Sequence, residues 1–98
     1  MRGKYYFVYL LVSKPYGTLY TGVTSDLILG AWQHKNDFVE CFTKKYGVHR
    51  LVYYEQCESI ESAINREKQI KKWKRRWKLE LIEKMNPDWK DIYNDIIR

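Results

Sequence analysis

Three short apolar runs along the chain predict β-strands. The run KYYFVYLLV, residues 4–12, is rich in aromatic and β-branched residues and apolar on both faces, which is typical of a buried strand. The turn sequence SKPYG follows it, and TLYTGV, residues 18–23, predicts a second strand, so the two form a hairpin. RLVYYEQC, residues 50–57, predicts the third strand.

The segments between and after these strands predict helices. Residues 24–26 (Thr, Ser, Asp) offer N-caps for a helix that runs to about Asn36. A mixed loop is expected from there to residue 49. Ser59 can cap a long helix over residues 60–77, and a further helical stretch over 78–85 follows it.

The dipeptide Asn86–Pro87 ends this helical region, and Pro87 can open a last short helix over residues 88–97. The order β-β-α-β-α-α predicts an α+β fold, with helices packed on a small, mostly antiparallel sheet of three strands. With 98 residues and no linker or repeat, we expect residues 1–98 to form a single domain.

The net charge and the cysteine content limit which binding partners and which cellular location are expected. A formal net charge of +6 favours a polyanionic partner, either nucleic acid or an acidic membrane, although it also fits a soluble basic protein without one. Cys41 and Cys57 form no CxxC pair, so we expect reduced thiols, no disulfide and a cytoplasmic location. No apolar run approaches the roughly 18 residues of a membrane span.

Glu67 interrupts the apolar stripe of the long helix. At about 100° per residue, one face of this helix carries Ile60, Ala63, Ile64 and Ile70. Glu67 falls in the middle of that face, where a carboxylate is costly unless it is paired, hydrogen-bonded or bound to a metal. Two interpretations stay open, namely a structural ion pair with Arg66 or another base, and a metal ligand.

Two strand tyrosines can share one face of the sheet. If the turn pairs Ser13 with Thr18, Tyr9 and Tyr20 project from the same face as diagonal neighbours. A slip of one residue would put them on opposite faces. The alternative for a strand tyrosine is packing and β-propensity, which we expect for Tyr5, Tyr6, Tyr53 and Tyr54.

The first helix combines a histidine with a glycine. Leu27, Ala31 and His34 share a face, and Gly30 lies one turn before His34. A lone histidine on such a face is structural more often than catalytic. Gly30 costs about 1 kcal/mol relative to alanine in a helix interior, and close packing of the helix on the sheet is one explanation for it.

A basic run follows Glu67. Eight of the eighteen lysines and arginines lie between Arg66 and Lys78, with Trp73 and Trp77 among them. Such a run is usually a solvated helix face, and a surface for the phosphate backbone is the alternative. The face away from the apolar stripe carries Lys68, Lys71, Lys72, Arg75 and Arg76.

Together and in this order, these features resemble the GIY-YIG nuclease superfamily, and most closely its small single-domain bacterial branch, which is related to the nuclease domain of the excinuclease subunit UvrC. FVY, residues 7–9, matches the first motif, and YTG, residues 20–22, matches the second. TSDL, QHK, FTKKYGVHRLVYYE, AINREKQIKKWKR and NPDW extend the likeness over nearly the whole chain.

The resemblance implies a three-stranded antiparallel sheet flanked by helices, and hydrolysis of a DNA phosphodiester with one divalent metal, Mg²⁺ or Mn²⁺. It implies Tyr9 and Tyr20 as the motif tyrosines, with Tyr9 the better candidate to help deprotonate the attacking water. It further implies Glu67 as the metal ligand, His34 as an active-site histidine and Asn86 as an asparagine near the site. A tyrosine, with an ordinary pKa near 10, can act as a base only if a metal or cation favours its phenolate.

Gly30 departs from the family pattern. The family helix carries leucine, then arginine three residues later, then histidine four residues after that, and Leu27 and His34 match the outer positions while Gly30 stands for the arginine. A positioned arginine offers a planar, fixed charge for the scissile phosphate. Losing a comparable electrostatic contact costs about 10²–10³-fold in rate.

Three functions remain as hypotheses. The first is a metal-dependent DNA endonuclease, weakened or inactive without the arginine, that acts on branched or damaged DNA in repair or recombination. The second is a nucleic-acid-binding module that kept the fold and lost cleavage, and the third is a protein-interaction domain whose basic helix meets an acidic partner. For DNA binding we expect contributions from Lys35, Lys68, Lys71, Lys72, Arg75 and Arg76.

Overall fold

Eight elements follow one another along residues 5–36 and 42–97, the part of the chain that the computed structural model describes. The strands are β1 (Tyr6–Val12), β2 (Leu19–Thr24) and β3 (Arg50–Cys57). The helices are α1 (Leu27–Lys35), α2 (Phe42–Tyr46), α3 (Ile60–Lys72), α4 (Arg75–Met85) and α5 (Tyr93–Ile96). Residue 4 of the predicted first strand and Cys41 lie outside the described residues.

The sheet is antiparallel with the order β2-β1-β3, so β1 is its central strand. The hairpin closes where the Ser13 amide donates to the Thr18 carbonyl at 3.0 Å. In this register Tyr9 opposes Gly22. The predicted pairing is therefore confirmed, and it puts Tyr9 and Tyr20 on the same face of the sheet.

Two hydrophobic clusters cover the two faces of the sheet. Because side chains alternate along a strand, Val8, Leu10 and Val12 pack against α3 and α4. Tyr9 and Leu11 project to the other face, which α1 and α5 cover. β1 is buried on both faces, as its continuous apolar sequence predicts.

The prediction of one long helix over residues 60–77 is wrong, because the helix is interrupted at Trp73 and Lys74, whose backbones are both extended. Ile70 and Ile82 are fully buried in the same cluster. They are twelve residues apart, which places them roughly 120° apart around one straight helix. A break between α3 and α4 lets both side chains reach the sheet.

Two further segments differ from the prediction. The loop expected over residues 36–49 contains the short helix α2. The last helix is confined to Tyr93–Ile96, because Trp89 has a left-handed backbone with φ 57° and Pro87 lies in a turn. The Asp91 carboxylate accepts hydrogen bonds from the Leu51 and Tyr93 amides and ties this segment to β3.

Candidate active site

β1, β2 and α1 bring Tyr9, Tyr20 and His34 into contact. The Tyr9 hydroxyl lies 3.2 Å from His34 Nε2. The ring centroid of His34 lies 5.2 Å from that of Tyr20, and the two tyrosine rings are 6.4 Å apart. Three side chains that can take part in proton transfer therefore meet on the α1 side of the sheet.

Gly22 makes room for the two phenols. A Cβ atom at this position would lie 2.6 Å from both Cζ and the hydroxyl oxygen of Tyr9, and 3.0 Å from Cε2 of Tyr20. Such separations are well inside van der Waals contact, so a side chain here would push Tyr9 out of place. The glycine of the second motif thus serves the placement of the first motif's tyrosine.

The N-terminal cap and the buried face of α1 hold His34 against the sheet. Asp26 Oδ1 accepts the Leu29 amide at 3.1 Å and starts the helix. Leu27, Ala31 and His34 are buried, so the face predicted from their spacing is the one that packs. His34 is thereby directed at Tyr9.

His34 is held in its neutral form. Burial lowers the pKa of His34 below its ordinary value near 6.5, and the charge of His49 lowers that pKa further. Neutral imidazole with an unprotonated Nε2 can accept the Tyr9 hydroxyl proton. His49 could not be found from the sequence, because this residue precedes β3 and comes near His34 only when the sheet and α1 pack together.

Gly30 lies on the buried side of α1, against Thr24 at the end of β2. A Cβ atom at Gly30 would lie 3.2–3.4 Å from Oγ1, Cβ and Cγ2 of Thr24. Thr24 Oγ1 is also engaged with Asp26, whose amide donates to it at 3.0 Å. Close packing of the helix on the sheet therefore accounts for a small residue here, and no arginine reaches the trio from this position.

Glu67 shares the sheet-facing stripe of α3 with the fully buried Ala63 and Ile70. The predicted stripe is only partly right, because Ile60 and Ile64 are exposed. The Glu67 side chain is 19% exposed, and its Oε2 pairs with Lys71 Nζ at 2.7 Å.

Of the bases left open as partners of Glu67, the structure has Lys71 rather than Arg66, because Arg66 binds Glu55. Its Nη2 donates to Glu55 Oε2 at 2.8 Å. α3 packs against β1 and β2 on the face opposite α1, so Glu67 belongs to a different layer from the tyrosine–histidine trio. Within the described residues, no group of three or more His, Cys, Asp or Glu side chains is arranged to share a metal ion.

Two of the expected site residues have structural partners. The buried Asn86 side chain donates to the carbonyl oxygens of Val52 and Lys90, and its own oxygen accepts the Lys90 amide at 3.0 Å. Lys35 is paired with Asp91 and stands over the Tyr93 ring, 5.2 Å from its centroid. Asn86 holds the turn after α4, and Lys35 joins α1 to the C-terminal segment.

The predicted basic surface spans both α3 and α4 rather than one helix. Its lysines and arginines are exposed at Lys68, Lys71, Lys72, Arg75 and Arg76. Arg75 donates from Nη2 to the carbonyl oxygens of Tyr16 and Gly17, both at 2.6 Å, and so anchors the hairpin turn to α4. None of the helices in residues 5–36 and 42–97 is both long and apolar enough to cross a membrane.

The chain is similar to several bacterial proteins of the UPF0213 group. A UPF0213 protein of Clostridium perfringens is 40% identical over 76 residues, which cover 78% of this chain and 81% of that protein. One of Syntrophus aciditrophicus is 36% identical over 83 residues, covering 84% of this chain and 93% of that protein.

A solved structure and a family model also match this chain. The solution NMR structure of a UPF0213 protein from Bacillus halodurans superposes with a TM-score of 0.56 at 29% identity, covering 89% of this chain and 92% of that one. Residues 5–80 match the family described as the GIY-YIG catalytic domain. The chain therefore belongs to the GIY-YIG nuclease family.

Proposed function

We propose that this protein is a metal-dependent DNA endonuclease that hydrolyses phosphodiester bonds. The observation that carries the proposal is the contact between Tyr9 and His34 beside Tyr20, in a chain whose family is named for a catalytic domain. The net charge of +6 and the exposed cations of α3 and α4 support DNA as the polyanionic partner.

The trio supplies a route for the proton of the attacking water. The Tyr9 oxygen takes that proton as its own hydroxyl proton passes to Nε2 of neutral His34. The water oxygen then forms a bond to phosphorus, and the bond from phosphorus to the leaving oxygen breaks. Tyr20 stands beside both groups, where its phenol can hydrogen-bond to the water or to a phosphate oxygen.

We expect the Glu67 carboxylate to hold one Mg²⁺ or Mn²⁺ ion when the protein binds DNA. Mg²⁺ is commonly held by one or two carboxylates, with waters and phosphate oxygens completing its shell. Lys71, the present partner of Glu67, is 52% exposed, and exposed ion pairs are weak enough to be displaced. Because Glu67 is on the α3 layer and the trio on the α1 layer, the ion and the trio would meet one phosphate at the β2 edge of the sheet, the strand that carries Tyr20 and that α3 contacts. There the bound ion would stabilise the charge that develops on the phosphate and the leaving oxygen.

Cleavage of supercoiled plasmid and of branched DNA with Mg²⁺ or Mn²⁺ tests this proposal. We expect wild-type protein to cut at least one substrate, EDTA to stop the reaction, and Tyr9→Phe and Glu67→Gln to lose at least 99% of the rate. Tyr6→Phe is the matched control, because Tyr6 packs on the opposite face of the sheet. Cleavage that survives Glu67→Gln or Tyr9→Phe would refute these roles.

Gly30 supports a second candidate function, that of a nucleic-acid-binding module without cleavage. The family's arginine position carries no side chain and is packed against Thr24. A module of this kind binds DNA with an affinity that falls steeply with salt. Binding without cleavage on every substrate would favour it, and an affinity unchanged between 50 mM and 200 mM salt would exclude it.

A further inference from the structure

The corner between α3 and α4 holds an open aromatic groove that the proposed chemistry does not use. Trp73, Trp77 and Leu81 provide its apolar walls, and Glu80 and Lys84 complete the lining. The Trp77 side chain is 45% exposed. Large aromatic side chains normally bury most of their area, so an exposed tryptophan in a groove is a candidate contact.

The back wall of this groove is held in place by a chain of contacts. Glu55 on β3 accepts two donor groups of Arg66, at 3.0 and 2.8 Å. The Arg66 guanidinium lies over the Trp73 ring at 5.1 Å. Trp73 in turn meets Trp77 edge-to-face, with centroids 6.2 Å apart and an interplanar angle of 80°. Trp73 is therefore held in place by Arg66 and Trp77, whereas nearly half of Trp77 is open to solvent.

Two lysines flank Trp77 along the chain. Lys84 lines the groove and follows Trp77 by seven residues on the same stripe of α4, and Lys74, the N-cap residue of α4, precedes Trp77 by three residues. Both lysines are exposed. Arg75 and Lys71 lie close enough to Lys78 to lower the pKa of its ammonium group, after burial as the larger cause. Glu80 is the one acid among the residues that line the groove.

We propose that this groove binds an unpaired nucleotide of DNA, whose base stacks on Trp77 while its neighbouring phosphates meet Lys74 and Lys84. A flat aromatic face flanked by cations matches the combination of π-surface and charge that single-stranded nucleic acid presents. The choice of DNA as the polymer rests on the proposed function. The substrate class that follows is DNA with a single-stranded segment, such as a branch or a flap.

The groove and the tyrosine–histidine trio lie on opposite faces of the sheet. α4 packs with Val8, Leu10 and Val12, whereas Tyr9 and Tyr20 face α1. The unpaired strand is thus held apart from the phosphodiester that is cut. A DNA molecule that contacts both the groove and the trio must have a single-stranded part that leads away from its duplex part, so the protein would select branched DNA.

Fluorescence anisotropy in EDTA tests the groove without any requirement for cleavage. Wild-type protein is titrated into labelled oligothymidylate and into a duplex of equal length, alongside Trp77→Leu, Trp77→Phe and the exposed-aromatic control Tyr5→Leu. We expect Trp77→Leu to weaken oligothymidylate binding roughly fivefold or more and duplex binding less than twofold. Trp77→Phe and Tyr5→Leu should stay within about twofold of wild type for the single strand.

The proposal is overturned if Trp77→Leu binds oligothymidylate as wild type does, or if it loses affinity for single strand and duplex equally. Matching circular dichroism spectra and unfolding midpoints exclude a folding defect as the cause. The result is separate from the proposed function. Trp77-dependent binding in a protein that never cuts DNA would refute the endonuclease alone, and cleavage with Trp77-independent binding would refute the groove alone.

Discussion

The Tyr9 hydroxyl and Nε2 of His34 lie 3.2 Å apart, although 25 residues separate them along the chain. The contact joins the central strand of the sheet to the helix that covers it. Both side chains are buried, so the pair is shielded from competing water. A proton can pass between them without solvent, and this relationship underlies the predictions on catalysis.

Tyr9 and His34 are expected to act as one unit. General acid–base catalysis contributes about 10²–10⁴-fold, so Tyr9→Phe and His34→Ala should each lower the single-turnover cleavage rate by that order. The double variant should be no slower than the slower single variant, because one proton route is lost in every case. Multiplicative losses in the double variant would show that the two side chains act separately.

Cleavage should depend on neutral His34. Burial and the charge of His49 lower the pKa of His34. We therefore expect the cleavage rate to rise with pH as His34 loses its proton, with an apparent pKa below about 6.5, and then to stay level as far as His34 is concerned. Single-turnover rates between pH 5 and 8 measure this. A midpoint above 6.5 would contradict the neutral imidazole.

The lowered pKa of His34 also makes the free energy of unfolding depend on pH. Between the lowered pKa of folded His34 and the unfolded value near 6.5, the unfolded chain binds more protons than the folded chain. The free energy of unfolding should therefore be unaffected by His34 above about pH 6.5 and should fall as the pH drops below it. Urea unfolding at pH 7.5 and 5.5 measures the loss, and His34→Gln should make this difference smaller.

Gly30→Arg should accelerate cleavage. An arginine restores a fixed charge for the scissile phosphate, and we expect a gain of at least tenfold, part of the roughly 10²–10³-fold that such contacts provide. Gly30→Met is the matched control, because its Cβ meets Thr24 in the same way without bringing a charge. Equal rates for the two variants would show that position 30 no longer reaches the substrate.

Gly22→Ala should destabilise the fold through Tyr9. Overpacking of this kind costs about 1–3 kcal/mol in unfolding free energy, and the added Cβ meets Tyr9 at 2.6 Å. Most of the cost should vanish in a Tyr9→Ala background. Gly47→Ala is the contrast, because Gly47 has φ +63° and open space around it, so its cost comes from the backbone and Tyr9→Ala should not relieve it.

Asn86→Ala should lower stability rather than chemistry. The variant leaves the Val52 and Lys90 carbonyl oxygens and the Lys90 amide without their partner, and we expect a loss of about 1–3 kcal/mol in unfolding free energy. The cleavage rate per folded molecule should stay within about threefold of wild type. A rate loss of a hundredfold at unchanged stability would instead make Asn86 part of the active site.

Much of the fold and part of the site follow from local sequence. The apolar runs located all three strands, and Asp26 and Ser59 cap helices as their residue types predict. The hairpin register stayed conditional on the turn, and the structure decided it. The face shared by Leu27, Ala31 and His34 also follows from helical spacing. The strands, the caps and this helix face depend on residues a few positions apart, so the sequence alone determines them.

Tertiary structure alone decided the rest. The break at Trp73, the pairing of Arg66 with Glu55, and the approach of His49 to His34 each depend on elements that are distant in sequence. Periodicity cannot reveal them, because a helix that looks continuous must break when its two apolar faces cannot reach one sheet together.

Gly22 and Gly30 illustrate the difference between what the sequence determines and what only the packing reveals. The sequence determined that both positions carry glycine, and only packing revealed that Gly22 makes room for Tyr9 while Gly30 rests on Thr24. The space available to a Cβ atom is set by side chains that other strands and helices bring together, and no local pattern records it.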